Sequence, residues 1–151
     1  MKQYIIQSLL FLWQLPQNTL GFIISLICYN STAKLFTFKD VNVMYSSKMT
    51  GGISLGKCII INSKSEGNIP TLLHEYGHCK QSKYLGWLYL PLVGLPSILH
   101  LLIRDWFSLQ HSYYSVYPEN WADKLGGVER YETGKAYKYD TTALRYLIPK
   151  P

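Results

Sequence analysis

The chain has 151 residues, three of them cysteine, and sets 15 basic side chains against nine acidic ones for a net charge of +6. That length makes one domain of ordinary size, able to bury a core without a disulfide framework. An aromatic content of 15% with only 16% charged residues is unusual for a freely soluble enzyme and points toward lipid. The basic balance suits an anionic membrane surface or acidic partners. Nucleic acid is set aside, because Lys and Arg are scattered and no nucleic-acid motif occurs.

The first element runs from Tyr4 to Tyr29 without a charged side chain, long enough to cross a bilayer at ~20 residues per span. Its middle, Gln14-Leu15-Pro16-Gln17-Asn18, is a polar break that suits a kink, a helical hairpin or an interfacial anchor better than a straight span. Lys2 before it and Ser31-Thr32-Ala33 after it also fit a cleaved signal peptide and secretion. The internal break and the sparse basic start favour retention. The expected organisation is an apolar membrane-associated segment over 1–33 and the domain itself over 34–151, with an apolar insertion over 87–103. Lys2, Lys34 and Lys39 flank the first stretch too evenly to set an orientation.

A β portion follows. Leu35 to Tyr45 alternates, with Val41, Val43 and Tyr45 on one side, and Lys57 to Asn62 holds Cys58-Ile59-Ile60-Ile61, an apolar run typical of a strand covered on both faces. Glycines 51, 52, 56 and 67 punctuate the turns.

The next element is a helix with clear ends. Asn68 is a candidate N-cap, Pro70 sits in the first turn where its missing N–H costs nothing, and Gly86 closes the pattern. Leu72, Leu73 and Tyr76 are candidate core residues, and Lys80 and Lys83 fall in the later turns, where the helix dipole favours cations. Mid-helix stands His74-Glu75-Tyr76-Gly77-His78. Residues four apart share a helix face, so both imidazoles can aim at one ion with Glu75 beside it, as in zinc hydrolases. A catalytic zinc site takes three protein ligands and keeps a fourth position for water, so a third donor must come from elsewhere.

Trp87 to Ile103 is a second apolar stretch, broken by Pro91, Gly94 and Pro96 into two short helices. It reads as an insertion that is either re-entrant or a cover for the site. Beyond it come His111, Tyr113, Tyr114 and Tyr117, candidates for stabilising an oxyanion, although a run of aromatics is more often packing surface. The third ligand is not a histidine of the metzincin kind, because Gln81 and Tyr84 occupy the positions that pattern needs. Glu119 and Asp123 form an i, i+4 pair on a short helix opened by Pro118 and closed by Gly126. Glu119 can then bind the metal while Asp123 accepts the outer N–H of His74 and fixes its tautomer. Asp105 and His111 are next in line as ligands. The cysteines lack metal-type spacing, Cys79 reads as core, and Asp140-Thr141-Thr142 can cap a short last helix.

His74-Glu75-x-x-His78 followed by Glu119-x-x-Ala122-Asp123 resembles the gluzincin group of metallopeptidases, most of all its membrane-embedded prenyl-protein endopeptidase branch and the minigluzincins. The chain also resembles HExxH domains at the ends of bacterial polymorphic toxins, through Gly51-Gly52-Ile53-Ser54-Leu55-Gly56 before the motif and Gln81 to Leu90 after it. The likeness covers residues 50–127. It implies an α+β, zincin-like fold, with a small antiparallel sheet packed on the active-site helix and apolar membrane-associated helices beside it. It implies one Zn²⁺ held by His74, His78 and Glu119, and hydrolysis of peptide bonds in a peptide or protein substrate with Glu75 as general base. In zincin-like folds a strand beside the active helix binds the substrate backbone. Gly52, Ile53, Ser54 and Leu55 are candidates for that strand, with a plain core strand as the other reading. The alternatives to a membrane-associated endopeptidase are a non-proteolytic zinc-binding membrane protein and a toxin-like effector domain. The sequence specifies neither a substrate nor an oligomeric state.

Overall fold

A computed structural model describes residues 2–107 and 112–146. The architecture is α+β. Two apolar helices, α1 (Lys2–Trp13) and α2 (Leu15–Cys28), lead into four strands, β1 (Lys34–Phe38), β2 (Val41–Ser46), β3 (Gly52–Leu55) and β4 (Cys58–Asn62). Helix α3 (Ile69–Leu85) follows, then a single π turn over Leu90–Gly94 and α4 (Leu95–Phe107). The last elements are α5 (Glu119–Gly126) and a hairpin of β5 (Val128–Arg130) with β6 (Ala136–Tyr139).

The alternating stretch Leu35 to Tyr45 is a hairpin: Lys39 turns the chain with a positive φ of 53°, and β1 pairs antiparallel with β2. The sheet differs from expectation in being mixed rather than antiparallel, in the order β1-β2-β4-β3, because β4 lies parallel to β2. The physical reason is the run Cys58-Ile59-Ile60-Ile61. Ile59 and Ile61 pack with Leu72, Leu73 and Cys79 of α3 on one face, while Ile60 packs with Cys28 and Ile24 of α2 on the other. A strand apolar on both faces belongs inside a sheet, so the β3–β4 hairpin docks with β4 inward and β3 left at the edge.

Helix α2 reaches this layer through close contacts. A Cβ on Gly21 would stand 2.8 Å from the Leu55 carbonyl oxygen, and the tight turn at Gly56 rests on Asn18, whose side-chain oxygen accepts from the Lys57 N–H at 2.9 Å. The polar break of the first apolar stretch is a bend of 79° between α1 and α2. Gln14, Gln17 and Asn18 are buried there. Among the described residues no single helix is long and apolar enough to cross a membrane.

Candidate metal centre

Helix α3 forms as its ends require. The Asn68 side chain accepts from Thr71 N–H, Pro70 sits in the first turn, and Gly86 closes the helix with a φ of 54° that suits glycine. Its middle packs against α5 at close range: a Cβ on Gly77 would lie 2.0 Å from the Ala122 carbonyl oxygen, and one on Gly126 would lie 2.2 Å from that of Leu73. Two glycines thus bring the histidine-bearing helix onto the carboxylate-bearing one. Helix α5 ends at Gly126, with Gly127 in the left-handed conformation as its cap.

At this crossing the Nε2 atoms of His74 and His78 each lie 3.1 Å from the same oxygen of Glu119, Oε2. All three side chains are buried, Glu119 completely, and their three donor atoms lie within 4.8 Å of one another. A tetrahedral ion with bonds of about 2.0–2.1 Å separates neighbouring nitrogen and oxygen donors by roughly 3.3 Å. The observed spacing fits, and the group can hold a metal ion.

The outer nitrogens are fixed as well. His74 Nδ1 is 2.9 Å from Asp123 Oδ1, and Asp123 in turn accepts from Arg130 Nε at 2.8 Å and Nη2 at 3.1 Å. Arg130 is held by the Gly134 carbonyl and lies 3.7 Å over the Tyr114 ring. His78 Nδ1 is 2.7 Å from Gln81 Oε1, and the Gln81 amide donates to the Pro118 carbonyl at 3.0 Å. Both Nδ1 atoms therefore serve as donors, so in the neutral tautomer of each ring it is Nε2 that offers an electron pair to an ion. Ser97 of α4 donates to the other oxygen of Glu119, Oε1, and shares a hydrogen bond with the Tyr113 hydroxyl at 2.8 Å.

The charge balance follows from this geometry. Burial alone would lower the His74 pKa, but hydrogen bonds to Asp123 and Glu119 outweigh it and lift it to about 9 in the metal-free chain. Burial would raise Glu119, but the two imidazoles hold its carboxyl well below the usual range. Burial, and then the Glu119 charge, push the Tyr113 phenol far up, so it stays a proton donor.

Glu75 is buried beside the triad and coordinates nothing within it. Its Oε2 accepts from the Ser54 hydroxyl at 2.7 Å. A Cβ on Gly52 would meet Glu75 Oε1 at 2.1 Å, so β3 needs glycine there for the carboxylate to sit where it does. Gly52, Ile53, Ser54 and Leu55 form the edge strand alongside this carboxylate, and the Ser54 carbonyl already accepts from the Tyr89 hydroxyl at 2.8 Å.

Of the four aromatic candidates, Tyr113 stands beside Glu119. Tyr114 packs edge-on against His74, with ring centroids 5.0 Å apart. Tyr117 turns away, its hydroxyl donating to the Leu92 carbonyl at 2.6 Å. His111 and the Asp105 side chain lie outside the described residues. Sequence reasoning missed Gln81, Ser97, Tyr89 and Arg130. Only Gln81 carries a local signal, since it stands three residues after His78 on the same helix face.

Compared with protein-family models, curated proteins and solved structures, the chain matches none of them.

Proposed function

We propose that this protein is a membrane-associated, zinc-dependent endopeptidase of zincin-like design. The observation that carries the reading is the meeting of two imidazole Nε2 atoms and one carboxylate oxygen at 3.1 Å, with a second carboxylate, that of Glu75, close by but uncommitted to the triad. Two histidines and one glutamate are the donor set of catalytic zinc sites that keep an open position for water. A purely structural site has no use for the additional carboxylate.

His74, His78 and Glu119 would hold the ion, oriented by Asp123, Gln81 and Ser97. When bound, zinc supplies a water acidified toward neutrality and a Lewis acid for the scissile carbonyl. Glu75, steadied by Ser54, takes a proton from the attacking water and returns it to the leaving amine. Tyr113 is the group best placed to donate to a developing oxyanion, because its phenol stays protonated and stands beside Glu119. The edge strand Gly52–Leu55 offers backbone groups to an extended peptide on the Glu75 side, with the outward Ser54 carbonyl already occupied by Tyr89. Lipid association is supported by the apolar side chains that α1, α2 and α4 expose.

Metal analysis of wild type and Glu75→Gln, paired with hydrolysis of a broad peptide library, tests the reading. Both proteins should carry one zinc per chain, and the variant should lose roughly a hundredfold to ten-thousandfold in turnover. A zinc-loaded wild type that cleaves nothing would leave a binding protein; a chain that takes up no zinc would remove the reading.

A further inference from the structure

The N-terminal helices are built inside out relative to a soluble helix pair. In α2 and at its start, the polar side chains each donate a hydrogen bond within the protein, and among them Gln17 Oε1 is buried without a partner. Gln14 donates to the Leu10 carbonyl, Gln17 to Ser82 Oγ and the Gly86 carbonyl, and Asn18 to the Phe11 carbonyl. Thr19 and Ser25 donate back to the Leu15 and Gly21 carbonyls. The outward positions hold apolar groups, among them Phe22, Ile23, Leu26 and Ile27, at 45–65% exposure. Water does not require such an arrangement, but hydrocarbon does, because a polar group facing it has no partner.

The 87–103 insertion continues the same surface. The Trp13 indole lies against Gly86 and donates to the Lys83 carbonyl at 3.0 Å, while Trp87 donates to the Leu12 carbonyl at 3.1 Å. This reciprocal pair joins the end of α1 to the start of the insertion and satisfies both indole N–H groups from within. Helix α4 then exposes Leu95, Ile98, Leu99, Leu102 and Ile103. Exposed Trp and Tyr mark the ends of the apolar segments: Tyr4 and Trp13 on α1, Tyr29 after α2, and Trp87 and Trp106 bounding the insertion and α4. Aromatic rings at the ends with aliphatic side chains between them match the graded polarity of a membrane interface; a protein partner would demand no such order. Cations stand at the rim, with Lys48 Nζ on the Ile27 and Tyr29 carbonyls and Lys57 Nζ on Gln7, in a chain of net charge +6.

Length decides how this surface meets the bilayer. Helix α2 has 14 residues and α4 has 13, about 20 Å each at 1.5 Å per residue, against a hydrocarbon core of about 30 Å. The 79° bend keeps α1 and α2 from forming one straight span. We infer that α1, α2 and the 87–103 insertion form a monotopic face immersed in a single leaflet of an anionic bilayer, with both ends of the bent pair on the side of the metal centre. The inference rests on the lipid association proposed above and adds its mode.

The full chain, carrying an N-terminal tag with a protease site and the substitution Ser31→Cys, is added to sealed phosphatidylcholine vesicles with and without phosphatidylserine. The expected result is co-flotation, stronger with phosphatidylserine, with the tag removed by external protease and the new thiol reached by an impermeant maleimide. A protected tag beside a reactive thiol would mean a span, overturning the single-leaflet mode while lipid association stands. No uptake by either vesicle, whether the chain is then a monomer or pairs with a second copy, would overturn both. Phe22→Lys combined with Leu99→Lys should weaken partitioning by about tenfold or more with metal content unchanged, which shows that the fold is intact. Undiminished partitioning of that metal-loaded variant would remove these faces from the bilayer and sink the proposal.

Discussion

Helices α3 and α5 bury imidazoles and carboxylates, whereas the bend between α1 and α2 buries amides, and the two sets end differently. Around α3 and α5 the hydrogen bonds hold each side chain from behind and leave three donor atoms facing one another. Around α1 and α2 the donors run into backbone carbonyls and a serine, and what faces outward is chiefly hydrocarbon, with Ser8 and Thr19 as exposed hydroxyls. Buried polarity therefore serves two ends here. Where it converges on a point it prepares a site, and where it closes on itself it frees a surface to be apolar.

The contrast is broken most severely by moving the Glu75 carboxylate, which stands outside the triad. Gly52→Ala places a methyl group where Glu75 Oε1 stands, and the side chain, being flexible, should yield before the fold does. Turnover is expected to fall by about a hundredfold, as for a misplacement of about 1 Å, with zinc content unchanged by metal analysis. Glu119→Ala removes the atom on which both imidazoles converge. Zinc affinity, read by competition with a chromogenic chelator, should drop at least about tenfold, and an unchanged value would move the third ligand elsewhere.

Protons sharpen the same comparison. His74 is held at about 9 in the metal-free chain, so below that pH its ring carries an extra proton that an incoming ion must displace. Zinc affinity should therefore rise with pH and level off above about 9, changing by roughly tenfold per unit well below it. A flat profile would show that the ring is already neutral. The smallest effect belongs to the closed network. Gln17→Leu removes the donors to Ser82 and Gly86 and should cost about 1–3 kcal/mol in denaturant titration, while zinc affinity stays the same.

Much of the centre was legible because its parts are local. Asn68, Pro70 and Gly86 bound α3 as caps, and i, i+4 spacing put His74 with His78 and Glu119 with Asp123 on common faces. The pairing of Asp123 with His74 followed from those two faces meeting. What could not be read were partners set only by the fold. Arg130 reaches Asp123 from a strand after the helix, and Ser97 reaches Glu119 from within an apolar stretch. Neither position has a periodicity that announces it. The mixed sheet was not legible for a related reason: the apolar run of β4 shows that it is covered on both faces, but its parallel pairing with β2 is set only by how the β3–β4 hairpin docks. The polar break at Gln14 to Asn18 was visible as an interruption, but its amides gain meaning only from partners the fold brings to them, Ser82 and Gly86 for Gln17 and Lys57 for Asn18.

Gly77 stands between the two histidines at a position the motif leaves open, yet its lack of a side chain is what permits the backbone of α5 to touch α3. A methyl group there would wedge the two rods apart and carry the glutamate away from the imidazoles, so the pocket's calibre is gauged by a single hydrogen atom. Transplanting the five-letter motif into another scaffold would accordingly fail unless the neighbouring rod were given the same clearance.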